Sequence, residues 1–512
     1  ADPGTLTLVT LTPGVDDADV PVDTAITAVA SEELDTSTVT VENVQLLKAG
    51  ESVDATVEAT DDTVTVNPSG TLDFGTTYTV RATTSLSGSS GATLAADVEW
   101  SFTTRPLQII VASNGNPIAN ASVFRDDADV GTTGADGTLA HAGPSGGTAA
   151  LTAQKKLFVP AQPQSVDLDG STYEITIPID PYIFVGDMGN PSGDPPTPGT
   201  LIRMAAVDDP PSAWETVRTI PHGSGSHELD GPIHVQADYE NGLIYVLDAF
   251  VTGTPGPGEA TTLIRLSEFP PALDGSEAEL VTLSEASGEE VAGAQQLVVL
   301  DNGDIVIPNY LGSLDDPRDY PRGSRLVRIP ANLDFSAATF GTWQENEYYY
   351  GLTQLPAGDL LTMGGSAFAV DTRTFSDVSD TSPTAFGSLT DGSGDDQAFV
   401  PTRLVTSPGG DHIYISDTGD RGSTSGYNNS RLIRLNADGS GFASYGERGS
   451  GTGQFFNPVI LGILPDNRLY IMDVDNSRLV RIDPAVFDGG SAGWTESDVA
   501  AAFSFDYWYN FS

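Results

Sequence analysis

A short motif, Leu-(Ile/Val)-Arg, returns five times in the last two thirds of the chain, with its arginine at Arg203, Arg265, Arg328, Arg434 and Arg481. Successive arginines lie from 47 to 106 residues apart, the longest interval skipping a copy, which gives about 50 to 60 residues per unit. The clearest unit is residues 457–484, NPVILGILPDNRLYIMDVDNSRLVRIDP. It reads as an apolar strand, a Pro-Asp-Asn turn, a second apolar strand ending in Asp, another turn, and the motif strand. Five further copies follow the same order. The fourth, YGLTQLPAGDLLTMGGSAFAVDT, is degenerate and carries Ala369 in the arginine slot. Units of this length with several strands each are propeller blades, so residues 181–512 are expected to form a six-bladed β-propeller. The first copy opens at YIFVGDMG, which aligns with the second strand of the others. The chain's last residues, FSFDYWYNFS, are apolar and strand-like. Residues 503–512 are therefore expected to supply the missing inner strand of blade one and to close the ring.

Residues 5 to about 104 contain alternating segments (TAITAVAS, TVTVENVQLL, TTYTVRATT, VEWSFTT) broken by turns every 8 to 12 residues or so, which is the rhythm of a β-sandwich. Residues 106 to about 179 form a second, shorter β unit, with a tight turn at Asp136-Gly137. The whole chain is thus expected to be all-β: two small β-sandwich domains, 1–104 and 105–180, followed by the propeller. High glycine (55) and proline (34) and the lack of long helical periodicity point the same way.

Three resemblances attach to these segments. The order LTPGVDDADVPVDTAITAVA, then TTYTV, then VEWSFTT, is similar to the bacterial Ig-like domain of S-layer and other surface proteins, which implies a spacer or stalk. The run GNPIANASV followed by GTTGADG resembles the carboxypeptidase-regulatory-like sandwich, a non-catalytic accessory domain. Asp473-Val474-Asp475-Asn476-Ser477-Arg478-Leu479-Val480-Arg481 resembles the NHL repeat, whose relatives include six-bladed propellers of the lactonase type.

Net charge narrows the partners. With 71 acids against 22 bases the chain carries −49, and only Lys48, Lys155 and Lys156 are lysines. Such a surface repels nucleic acid and anionic membrane. It suits cation-rich surroundings or simply keeps the protein soluble. The absence of cysteine excludes disulfides and thiolate chemistry. No apolar run reaches the ~18 residues of a membrane span. An extracellular or cell-surface location, after removal of a signal peptide, is expected.

The second strands of the repeat end in Asp187, Asp248, Asn309, Asp417 and Asp473, and long loops follow them. Function is expected on this face, because variable loops over a regular base are where binding residues collect. Resemblance to NHL repeats implies that the Asp holds the following turn. The alternative is a ring of ligands for calcium or another cation. The inner strands begin at His234, Gln296, Gly351, Arg403 and Ile460, which makes His234, Gln296 and Arg403 candidate ligand contacts in the channel. Tyr348, Tyr349 and Tyr350, with Trp343 nearby, either stack on a sugar or protein partner or pack between blades. His222, His227 and His234 form a candidate zinc cluster or an ordinary Gly-Ser loop. The Asp126-Asp127…Asp129 cluster is a calcium candidate or a solvated turn.

Lactonase-type propellers hold a divalent metal with a Glu, two Asn and an Asp. This chain offers Asn309 and several Asp but no Glu in that set. The expected function is therefore a non-enzymatic surface protein that binds a protein or polysaccharide, with a homo-oligomer or filament as a further option. The alternative is a metal-dependent, lactonase-like hydrolase or lyase at the channel mouth.

Overall fold

The computed structural model describes residues 4–187, 200–209, 211–219, 232–248, 261–266, 278–283, 291, 294, 296–311, 323–345, 349–364, 371–387, 389–391, 394–395, 397–399, 401–418 and 429–498. All regular structure among these residues is β-strand or short 3-10 turn. The chain forms two compact units, residues 1–155 with 160–179, and residues 156–159 with 180–512. The expected closing strand, residues 503–512, and His222, His227 and Tyr348 lie outside the described residues.

The first unit contains two sandwiches. In the first, Ile26–Ala30 and Thr63–Pro68 sit centrally in a four-stranded sheet, and Val98–Thr104, Thr77–Ala82 and Val44–Lys48 lie together in a five-stranded one. One face of each sheet is buried, so the burial pattern alternates along a strand. Ile26, Ala28 and Ala30 point inward, as do Trp100 and Phe102. Outward threonines pair across strands, Thr79 with Ser101 at 2.8 Å and Thr77 with Thr103 at 2.9 Å. In the second sandwich Leu107–Ser113 pairs antiparallel with Thr138–His141 and parallel with Glu174–Pro178. Its turn at Asp136-Gly137 has Gly137 at φ +72°, and Asp136 Oδ1 accepts from the Thr138 amide at 3.0 Å. Here only glycine serves, since a Cβ would meet Pro117 Cα at 2.9 Å. Tyr173 ties the two sandwiches: its hydroxyl accepts from the Val22 amide at 2.8 Å and its ring meets Phe74 edge-on at 5.8 Å.

The second unit is a six-bladed propeller. Among the described residues, six antiparallel sheets follow one another from Ile183 to Asp498, with second strands Ile183–Asp187, Leu243–Asp248, Ile305–Leu311, Leu360–Gly364, His412–Asp417 and Leu469–Asp473. Blades are covered on both faces, so their strands are apolar without alternation. In blade six, Leu469–Asp473 is buried at every position. Each neighbouring pair of blades shares a core. Leu201 of blade one packs with Ile244 and Ile264 of blade two. Leu247 of blade two packs with Ile307 of blade three, and Leu326 of blade three with Leu352 of blade four. Met363 of blade four meets Ile415 of blade five, and Tyr414 of blade five meets Ile471 of blade six. The circle closes where Ile183, Val185 and Met204 of blade one pack on Tyr470, Met472 and Leu479 of blade six.

Three of the repeated arginines work between blades. Arg265 donates to the Ala331 carbonyl of blade three at 2.6 Å. Arg328 reaches Asp377 of blade four at 3.1 Å, and Arg434 clasps Asp488 of blade six with two bonds of 2.7 and 2.8 Å. In each case the third strand of one blade is pinned to the segment after the third strand of the next. Blade four corrects the reading of the sequence. Its third strand is Asp371–Phe375, and the register Leu361↔Thr374 puts Thr374, not Ala369, in the arginine slot. Ala369 is outside the described residues. Without a Leu-x-Arg motif nothing in that stretch fixed the register.

One short segment belongs to the propeller although its neighbours in sequence do not. Leu157, from residues 156–159, is 4% exposed and buried against Leu201, Val246 and Leu266. Phe158 lies edge-on to Tyr239 at 5.6 Å.

Candidate functional site

Register places the ends of the second strands and the starts of the inner strands on one face. Pro232 pairs with Asp248, Tyr349 with Gly364, Pro401 with Asp417 and Pro458 with Asp473. The long loops 188–199, 249–260, 312–322 and 419–428 that leave this face are outside the described residues.

The acidic ring at these ends divides by partner. Asp417 is fully buried. It accepts from the Phe399 amide at 2.8 Å, the Asn429 amide at 2.6 Å and Arg431 Nε at 3.2 Å. Asp473 repeats this with the Phe456 amide at 2.6 Å, Asn476 at 2.8 Å and Arg478 Nε at 2.8 Å. Each carboxylate thus ties the segment before its blade, the turn after its strand and the start of the third strand. Burial pushes Asp417 up to about 6, against the lowering effect of its three donors, and raises Asp473 for the same reason. Asn309, fully buried, faces Arg325, whose guanidinium stacks on Phe340 at 4.6 Å and on Trp343 at 4.4 Å. Asp248 is 5% exposed and pairs with Thr262, so its blade has no arginine at that position. Asp187 pairs with Thr200 in the same manner. Donors of N–H type surround Asp417 and Asp473 and hold each carboxylate in the frame of its blade. Among the described residues no three His, Asp or Glu converge closely enough to hold a metal ion. In the second sandwich, Asp126 and Asp129 accept from the Ala150 and Gly131 amides, both at 2.9 Å.

Sequence reasoning passed over the arginine partner. Arg325, Arg431 and Arg478 each stand three residues before the repeated arginine, so three copies read Arg-Leu-(Ile/Val)-Arg. Arg431 also donates to the Gly394 and Gln397 carbonyls, at 3.1 and 2.7 Å. Arg478 does the same to Gly451 and Gln454, at 3.2 and 2.7 Å. This doubled motif was the available signal.

The channel candidates His234, Gln296 and Arg403 come together, and Tyr349 does not join them. Inner strands of the ring surround a cavity of about 410 Å³ lined by Gln236, Gln296, Thr353, Gln354 and Thr406, among others. Exposed Asp301, Pro356 and Gly409 at its rim open it toward solvent. A second chamber of about 40 Å³ lies beyond it, and His234 lines both. Gln296 braces the channel wall. Its Oε1 accepts from the Leu352 amide at 3.1 Å, and its Nε2 donates to the Leu352 and Leu404 carbonyls at 2.8 and 3.3 Å. His234 Nδ1 accepts from the Leu297 amide at 3.3 Å. Burial, with Arg403 beside it, pushes the imidazole well below its ordinary pKa, so it is neutral. Burial also lowers Arg403, to about 10, which leaves it a cation at neutral pH. Both side chains keep some surface, which faces the channel. Tyr349, 6% exposed, packs edge-on to Phe375 at 5.7 Å in the core between blades three and four. Nothing is described of the Tyr350 side chain.

Residues 2–104 match the bacterial Ig-like domain family. No curated protein sequence matches the chain. Solved structures similar to it include a periplasmic gluconolactonase of Pseudomonas aeruginosa, at 10% identity and a TM-score of 0.36, covering 63% of this chain and 98% of that one. An auxiliary nutrient binding protein of Bacteroides thetaiotaomicron aligns at 11% identity and a TM-score of 0.34, over 97% and 86% of the two chains. A virginiamycin B lyase of Staphylococcus aureus aligns at 13% identity and a TM-score of 0.32, over 53% and 70%.

Proposed function

We propose that this chain is a cell-surface binding protein whose propeller presents its loop-bearing face to a protein or polysaccharide, with the Ig-like unit serving as a stalk. One observation carries the reading: the carboxylates on that face that the structure describes in full, Asp417 and Asp473, are engaged by amide and guanidinium donors that hold the blades. A rigid ring stabilised from within leaves the loops above it free to specialise, and a preordered base lowers the entropic cost of recognition. The match of residues 2–104 to a domain of bacterial surface proteins supports the location.

The test has two arms. The full chain is mixed with purified cell-wall polysaccharide and with intact envelopes, and sedimentation is compared with a variant whose 419–428 loop is replaced by a short Gly-Ser turn. Binding that falls at least tenfold in the variant is expected. The second arm assays lactone hydrolysis with added calcium, magnesium or zinc. Turnover that depends on the added cation, with no loop-dependent sedimentation, would overturn the binding reading in favour of a hydrolase. Light scattering with calcium and after chelation measures self-assembly in the same samples.

A further inference from the structure

The outer cavity of the channel opens on the face opposite the long loops. Its rim residues Asp301, Pro356 and Gly409 lie in the turns that join inner to second strands, at the other end of the blades from Asp417 and Asp473. At about 410 Å³ it falls within the range of about 300–1,000 Å³ that takes small-molecule ligands. Its wall mixes hydrocarbon, as at Val299, Leu355 and Ile463, with carboxamide and hydroxyl groups. Those polar groups are set for particular roles. Gln354 Oε1 accepts from the Asp301 amide at 3.2 Å, which fixes the carboxamide and leaves its Nε2 hydrogens as donors. Thr406 Oγ1 gives its one proton to the Gln354 carbonyl at 3.0 Å, so in its 2.9 Å contact with Thr353 it is the acceptor and Thr353 the donor. Both hydroxyl oxygens keep lone-pair capacity for a further donor. Gln236 lines the same cavity, half-buried, and its carboxamide hydrogen-bonds to none of the described residues. Gly462 adds depth. It sits where the inner strand Pro458–Ile463 shifts register, and a Cβ there would meet nothing within 4 Å among the described residues.

We infer that the outer cavity is a binding site for a neutral sugar, either a free monosaccharide or the terminal unit of a glycan, held by Gln236, Gln354, Thr353 and Thr406. A sugar hydroxyl both donates and accepts. It can therefore donate to the oxygens of Thr353 and Thr406 and accept from Gln354 Nε2, while Gln236 offers both roles to one pair of neighbouring hydroxyls. The ring's C–H faces cover the hydrocarbon of the wall and remove it from water. Carboxamides and hydroxyls bind without a charge of their own, and the net charge of −49 disfavours an acidic sugar at the same place. The site lies at the opposite end of the ring from the loop-bearing face, so it stands or falls apart from the surface-binding reading.

Saturation-transfer difference NMR on the full chain tests the site. The probes are glucose, galactose, mannose and N-acetylglucosamine, each alone and as a short oligomer, with glucuronate as the charged comparison. Transfer to at least one neutral sugar is expected, and transfer to glucuronate should be about tenfold weaker. Signal on the monosaccharide alone would identify a site for free sugar; signal on the terminal unit of the oligomer would identify a site for a glycan end. Gln236→Leu removes the uncommitted carboxamide at nearly constant volume and should weaken binding about tenfold. Gly462→Phe fills the cavity, leaves every polar group in place and should abolish binding. Both variants should keep the melting transition of the propeller. The chain whose 419–428 loop is replaced should bind the sugar as the unmodified chain does. The proposal would be overturned by no transfer to any neutral sugar, by equal transfer to glucuronate, or by transfer that survives Gly462→Phe or is lost with the 419–428 loop. Unchanged affinity in Gln236→Leu would overturn it as well.

Discussion

Asp417 and Asp473 occupy the same place in successive blades, and both are carboxylates taken fully out of water. For Asp417 the cost of burial outweighs the help of its donors, and the group titrates near 6. The sign of its effect on stability follows. Between the unfolded value, near 3.9, and about 6 the folded chain holds a proton that the unfolded chain has released. This group's contribution is therefore fully present below that window and is lost as pH rises through it. Comparing the chain with Asp417→Asn by denaturant unfolding from pH 4 to pH 7, the stability of the unmodified protein relative to the variant should fall by about 3 kcal/mol. A difference that stays flat, or rises with pH, would mean that Arg431 keeps the carboxylate ionised throughout. The acid was legible in the sequence because Asp ends four of the six apolar second strands and Asn309 a fifth. Its engagement was not, because the Phe399 and Phe456 amides come from the preceding segment and only folding brings them near.

Strands of the two units differ in how much their sequence reveals. In the sandwiches one face meets water, so alternation marks both the strand and its inward residues, as at Ile26, Ala28 and Ala30. In the blades both faces are covered, and a run such as Leu-Ile-Tyr-Val-Leu names a strand without saying which residue faces which neighbour. Tyr414 packs toward blade six while Ile413 and Ile415 pack toward blade four. For the same reason Tyr349, read as either an exposed contact or a packing residue, is found in an inter-blade core. Close approach between blades shows at Gly387 and Gly439. Gly439 has φ +81°, and a Cβ there would meet Gly387 Cα at 2.7 Å and its nitrogen at 2.8 Å. Gly439→Ala should therefore cost about 2 kcal/mol of propeller stability, measured by chemical denaturation, whereas an alanine at the open position Gly358 should cost about 1 kcal/mol from its positive φ alone. Equal costs at the two sites would show that blades four and five yield to the added methyl.

The repeat count and the ring were readable from the spacing of one motif, while the residues that pack at the seam between first and last blades were not. Matching positions of blade one and blade six are about 280 residues apart in sequence, and no local pattern announces that Val185 will touch Met472. Because every core lies between two blades, no blade has a core of its own to fall back on, and the ring should unfold as one cooperative body. Met472→Ala, at the closing seam, and Met363→Ala, between blades four and five, remove equally buried side chains. Both should lower the same calorimetric transition, each by about 2–5 kcal/mol. A propeller transition that splits in two for either variant would contradict a uniformly closed ring.

Leu157 gives this architecture a history. Residues 156–159 complete the propeller from within a stretch whose flanks belong to the first unit. A gene rearrangement that attached a new stalk at residue 180 would leave Leu201, Val246 and Leu266 facing water. Any exchange of the first unit must therefore keep residues 156–159 with the propeller.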